Sequence, residues 1–108
     1  MADHEYYMRK ALALAREAAL EGETPVGAIV VLSGEIIGRG KNATERLDAT
    51  CHAEMEAIRE ASRTIGAWRL EGASLYVTME PCPMCAGAVL MSRVSRIFYG
   101  AKDARAGS

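Results

Sequence analysis

The segment Leu75-Tyr76-Val77-Thr78-Met79-Glu80-Pro81-Cys82-Pro83-Met84-Cys85 runs on through Ala86 to Ser92 and then to Arg96-Ile97-Phe98-Tyr99, and it decides the fold. Leu75 to Met79 is a short run of strand formers between turn residues and reads as a strand. Pro81 to Ser92 reads as a helix, with proline near its start, where the missing N–H costs nothing. Arg96 to Tyr99 reads as another strand. A strand, a helix and a strand in this order imply a crossover between parallel strands.

Working outward, Val26 to Leu32 is an almost continuous apolar run, as in a strand buried on both faces. Ser33-Gly34 is a two-residue turn signal, and Glu35 to Gly40 supplies the partner of an antiparallel hairpin. Lys41 to Ala49 is polar and reads as a loop. Two further helices are expected. The first covers residues 4–20, with Asp3 as N-cap, Gly22 as stop and an apolar stripe of Met8, Leu12, Ala15 and Ala19. The second is capped by Thr50, runs to about Ile65 and ends at Gly66, with Met55, Ile58, Ser62 and Ile65 facing inward and Ala61 beside them. The order α-β-β-α-β-α-β predicts an α/β fold of three layers, α/β/α, with a mixed sheet of about four strands.

The composition bounds the function. The chain has 108 residues, 50% hydrophobic and 25% charged, with a formal net charge of -1 and three cysteines. That is one domain (residues 1–108), able to bury ~60–68% of its unfolded surface. The charge balance excludes a strongly basic nucleic-acid binder but leaves room for a local basic patch. No apolar run approaches the ~20 residues of a membrane span, and no signal peptide is expected at the N-terminus. An odd cysteine count without a secretion signal argues for a reduced, cytoplasmic setting and for metal or catalytic thiols.

The chemistry lies in His52-Ala53-Glu54 and Pro81-Cys82-Pro83-Met84-Cys85, each at the start of a predicted helix. Zinc takes imidazole nitrogen and thiolate sulfur, and catalytic sites use three protein ligands with a fourth position open. Cys82 and Cys85 are three apart, so both thiols can reach one ion, and a helix N-terminus favours thiolate. His52 is the third candidate ligand. Glu54, two residues on, shares that site only if the pair stands at a helix end, because i and i+2 point about 200° apart within a helix. A carboxylate there can move protons. Zinc lowers the pKa of a water it binds toward ~7, so hydroxide is available at neutral pH. A Cys-x-x-Cys alone also suits a redox pair or half of a structural zinc site, and a His-x-Glu alone means almost nothing. The two together favour one catalytic zinc per chain. Cys51 and His4 remain as spare donors, read as a small packing residue and a surface residue.

His-x-Glu followed by Pro-Cys-x-x-Cys is the signature of zinc nucleobase deaminases. The chain resembles the cytidine deaminase superfamily, and within it the bacterial tRNA-specific adenosine deaminases. The resemblance covers nearly the whole chain, through Thr24-Pro25-Val26-Gly27-Ala28, the two zinc motifs, Cys85-Ala86-Gly87-Ala88 and Gly100-Ala101-Lys102-Asp103. It implies hydrolysis of adenosine to inosine in RNA, at the wobble position of tRNA. His52, Cys82 and Cys85 would hold zinc, and Glu54 would carry protons from the attacking water to the ring nitrogen and then to the departing amine. Asn42 would hydrogen-bond the base, as would the backbone of Ala53. The carbonyl of Glu80 would receive the amine, Val26 would pack on the base, and Asp103 would sit near the ribose.

Each of these contacts has a plainer rival. Asn42 is a good turn residue, Val26 a core residue, Asp103 a solvated charge, and the Glu80 side chain a backbone acceptor. Met84, Val89 and Met91 suit a core or a subunit interface. Members of the branch usually continue with another strand and further helices, absent here, which would leave an edge or face for a partner to cover. A homodimer and a tRNA, or another single-stranded or looped nucleic acid, are the expected partners, with no membrane. Two alternatives stay open: a deaminase of cytosine in single strands or of free bases and nucleosides such as guanine, and a zinc-binding module without catalysis.

Overall fold

A computed structural model describes residues 3–101. The elements are α1 (His4–Leu20), β1 (Gly27–Leu32), β2 (Glu35–Lys41), α2 (Ala53–Ile65), β3 (Ser74–Met79), α3 (Pro83–Met91) and β4 (Arg96–Ala101). The sheet order is β2-β1-β3-β4. β1 is antiparallel to both β2 and β3, and β3 is parallel to β4 across the α3 crossover. The expected mixed four-strand sheet is therefore present. Ser33 and Gly34 both take positive φ, 51° and 79°, which is the turn that matches strand twist in a two-residue hairpin.

The sheet separates two apolar layers. Ile29, Val31 and Tyr76 face α1, with Tyr7, Met8 and Leu14 packed on them. Ala28, Val30, Leu75 and Val77 face α2 and α3, meeting Ala53, Ala57, Ile58, Ala61, Ala88 and Val89. This is the three-layer α/β/α arrangement. Each large aliphatic side chain buried here contributes about 1.5–3 kcal/mol.

Helix contacts differ from the expected stripes. On α1 the buried residues are Ala11, Ala15 and Ala18, while Leu12 is 41% exposed and Ala19 also faces solvent. On α2 they are Ala53, Glu54, Ala57, Ile58 and Ala61, while Met55 and Ser62 are half-buried and Ile65 is exposed. The cause lies in the strands. A Cβ on Gly27 would overlap the backbone of Ala11 and Ala15; one on Gly38 would overlap Ala57 and Ala61, and one on Gly40 Ala53 and Ala57. Helix backbones lie directly on strand glycines, so alanine rather than leucine occupies the contact line. Gly66 ends α2 in the left-handed conformation, φ 70°, as its position predicts.

Helix starts also shift. Asp3 caps α1 as expected, accepting from the Tyr6 N–H at 3.0 Å. Thr50 does not cap α2, because its N–H and hydroxyl both bond Asp48 in a turn before the helix. The N-cap is His52, and that of α3 is Cys82, so Pro83 rather than Pro81 occupies its first turn. Neither cap residue makes a side-chain capping bond.

Candidate active site and metal centre

Those two side chains are engaged elsewhere. His52 Nδ1 lies 3.6 Å from Cys82 Sγ and 3.4 Å from Cys85 Sγ, and the three ligand atoms are all within 4.8 Å of one another. The edges of a zinc tetrahedron with one nitrogen and two sulfur ligands, built from the usual bond lengths, are ~3.5 Å for N···S. The residues therefore fit the ion in donor type and spacing. Among the described residues, this is the group of His, Cys and acidic side chains whose ligand atoms converge. All three cysteines are free thiols, and Cys51, buried beside His52, stands outside the group. His4 is far off, its ring hydrogen-bonded to the Tyr76 hydroxyl and stacked near Phe98.

Burial pushes the Cys85 thiol well above the ordinary value, and the neighbouring Glu54 and Cys82 push the same way. A cation between these groups is what would stabilise the thiolate, and the site supplies the place for one.

Glu54 is the second residue of α2 and only 4% exposed. Burial raises its carboxyl above the usual range, opposed by its own backbone N–H, the His52 charge and the Cys85 thiol. With His52 extended at the cap (φ -81°, ψ 155°) and Glu54 in the first turn, both side chains serve one site, as the spacing argument requires.

Beside the ligands lies a pocket of about 150 Å³ lined by Thr24, Val26, Asn42, Thr44, His52, Glu54, Met79, Glu80 and Cys82. It brings together Val26, Asn42, Glu54 and Glu80 from separate parts of the chain. Val26 lines the pocket and also belongs to the core. Ala53 is not in the lining; it is fully buried at the start of α2. Asp103 lies outside the described residues. Thr24, Thr44 and Met79 are the lining residues that sequence reasoning missed. Thr24 and Met79 lie inside stretches already quoted but were given no role, whereas Thr44 sits in the polar loop and carries no pattern.

The sequence profile of the cytidine and deoxycytidylate deaminase zinc-binding region matches residues 1–101. The chain is 51% identical over 108 residues to the tRNA-specific adenosine deaminase of Bacillus subtilis (strain 168), covering 99% of this chain and 67% of that protein. A solved structure from work on A-to-I editing by tRNA:A34 deaminases at the wobble position of transfer RNA superposes with a TM-score of 0.93 and 47% identity, over 95% of this chain and 75% of the other. Guanine deaminase from Bacillus subtilis superposes with a TM-score of 0.89 and 41% identity, over 94% of this chain and 66% of the other.

Proposed function

The chain belongs to the cytidine and deoxycytidylate deaminase family, and from that premise we propose that it hydrolyses adenosine to inosine in RNA, at the wobble position of tRNA. The observation that carries this is the pocket: Glu54 and Asn42 share a cavity whose floor holds His52 and Cys82. Its volume, about 150 Å³, is below the ~300–1,000 Å³ of pockets that enclose whole ligands. It suits one planar base, with sugar and phosphates left outside. An anticodon loop offers such a base already unstacked.

His52, Cys82 and Cys85 would hold zinc, which supplies Lewis acidity and an activated water when bound. Glu54 takes a proton from the attacking water and delivers it to the ring nitrogen, then takes a second from the hydroxyl that the attack leaves on the carbon and delivers it to the departing amine. A carbon–oxygen bond forms at the carbon bearing the amine, the carbon–nitrogen bond breaks, and ammonia leaves. Its raised proton affinity suits a group that must hold a proton between two transfers. Asn42 hydrogen-bonds the base, Val26 packs on its face, and the Glu80 carbonyl receives the amine. The first-turn N–H of Ala53, a donor that a helix leaves unused, points the base edge. Asp103 is assigned to the ribose.

The same reading takes residues 1–108 as one deaminase domain acting in the cytoplasm. No described helix is long and apolar enough to cross a membrane. A homodimer is supported by exposed apolar side chains, Leu90 and Met91 at the end of α3 (73% and 70% exposed) and Trp68 in the connection after α2 (59% exposed).

Likeness to a guanine deaminase is the observation behind a free-base alternative. A panel separates the two: ammonia release from an adenosine-bearing RNA loop, cytosine in single-stranded DNA, cytidine and guanine. The proposal expects turnover on the RNA loop far above the others. Turnover confined to guanine or cytidine would overturn it, and one bound zinc with no ammonia from any substrate would indicate a binding module.

A further inference from the structure

Glu23 is a buried acid that the chemistry above leaves unused. It is 5% exposed and stands outside both the group of converging ligands and the pocket lining. Acids are almost never this buried without partners. Its partners are backbone: the Glu45 N–H donates to Oε1 and the Arg46 N–H to Oε2, each at 3.0 Å. These donors belong to a single turn closed by the Leu47 N–H on the Ala43 carbonyl at 3.0 Å. A turn of this kind leaves its first N–H groups unpaired, and a carboxylate there does the work of an N-cap, with charge-assisted bonds.

We propose that Glu23 is a positioning residue that sets the width of the base pocket by clamping its two non-metal walls together. One wall is Thr24 and Val26, one and three residues after Glu23. The other is Thr44 and Asn42, one and three residues before Glu45. Among the described residues they also meet where the Asn42 N–H donates to the Val26 carbonyl at 3.1 Å, at the end of the β1–β2 ladder, and the next N–H, of Ala43, donates to the Cys51 carbonyl at 2.8 Å. Those bonds fix Asn42 and Ala43 at the root of the loop, whereas the turn from Thr44 to Leu47 is bonded to the segment before Val26 through Glu23. Glu23 fastens that turn and with it Thr44, whose Oγ1 accepts from Asn42 Nδ2 at 3.2 Å, so the Asn42 carboxamide is held at a fixed depth. The metal ligands come from α2 and α3, so the clamp acts on substrate binding rather than on the ion. The inference rests on the deaminase reading for its substrate and on the hydrogen bonds for its geometry.

The test compares Glu23→Ala with Glu23→Gln. The alanine leaves two N–H groups without their acceptor. The near-isosteric glutamine keeps one acceptor and turns an NH₂ toward the other N–H. On an adenosine-bearing RNA loop, KM rises about tenfold or more for the alanine and less for the glutamine, with kcat changed far less, a scale set by the ~10²-fold cost of 1 Å misplacement. Zinc content stays at that of the wild type. Amide hydrogen exchange quickens at Glu45 and Arg46 while β1 and β3 keep their protection. An unchanged KM in both variants with only a lower Tm would overturn the clamp. So would uniform loss of protection across the sheet, or full protection retained at Glu45 and Arg46. A wild-type chain that deaminates nothing sinks the deaminase reading instead, and the exchange result then decides the clamp alone.

Discussion

The two helices that bring the metal ligands together are held in opposite ways. α2 lies on glycine: Ala53, Ala57 and Ala61 sit against Gly38 and Gly40 with no room for another carbon. α3 is thinly covered, with Cys85 its one fully buried residue and Leu90 and Met91 largely in solvent. So His52 is placed by long-range packing, and Cys82 and Cys85 by local geometry, a proline in the first turn and two thiols three residues apart. The strand before α3 supplies the rest, since Met79 is paired to β4 just ahead of Glu80.

That contrast can be broken at several points. The largest effect belongs to Cys85→Ala, which removes one of the three ligands, the one buried on the α3 side. Bound zinc by metal analysis falls from one per chain to a trace, and turnover goes with it; retained zinc would sink the ligand assignment. Next is Gly40→Ala. Its Cβ meets the backbone of Ala53 and Ala57, one residue from His52, and overpacking of this kind costs about 1–3 kcal/mol. Denaturant unfolding should register that loss, and competition with a chelator should register weaker zinc binding. Gly38→Ala sharpens the comparison. It meets the same helix further along, at Ala57 and Ala61, so it should lose similar stability while zinc affinity changes much less. Equal zinc losses in both variants would mean that α2 moves as a rigid rod rather than at its start.

On the α3 side the effects are smaller. Pro83→Ala frees the first turn of the helix and should cost roughly 0.4–1 kcal/mol of stability, through the unfolded chain, with zinc still bound. Leu90→Ser should change monomer stability by no more than about 0.5 kcal/mol. Its effect should appear instead in sedimentation, as weaker self-association if the proposed dimer forms through this surface.

The same contrast explains what could be read in the sequence. The hairpin turn at Ser33-Gly34, the Gly66 stop and the parallel β3–β4 pair rest on local signals and were legible. The zinc trio was legible because its residue types are rare in combination. The faces of α1 and α2 were not. Hydropathy favours Leu12 and Ile65 for the interior, but strand glycines demand small residues there, and that pairing spans distant segments. The helix starts were missed for a related reason. Capping rules look for Thr50 and a leading proline, whereas His52 and Cys82 serve as caps while their side chains face each other. Glu23 was invisible because its partners are backbone N–H groups over twenty residues away, which no residue pattern marks.

The central claim is that one carboxylate beside three ligands carries the proton transfers. Glu54→Gln, measured for zinc content and for inosine formed in an RNA loop, tests it most directly. Zinc should be retained at the wild-type level and kcat lowered by about 10²–10⁴-fold, the usual share of a positioned acid–base group. Unchanged turnover with zinc in place would contradict it.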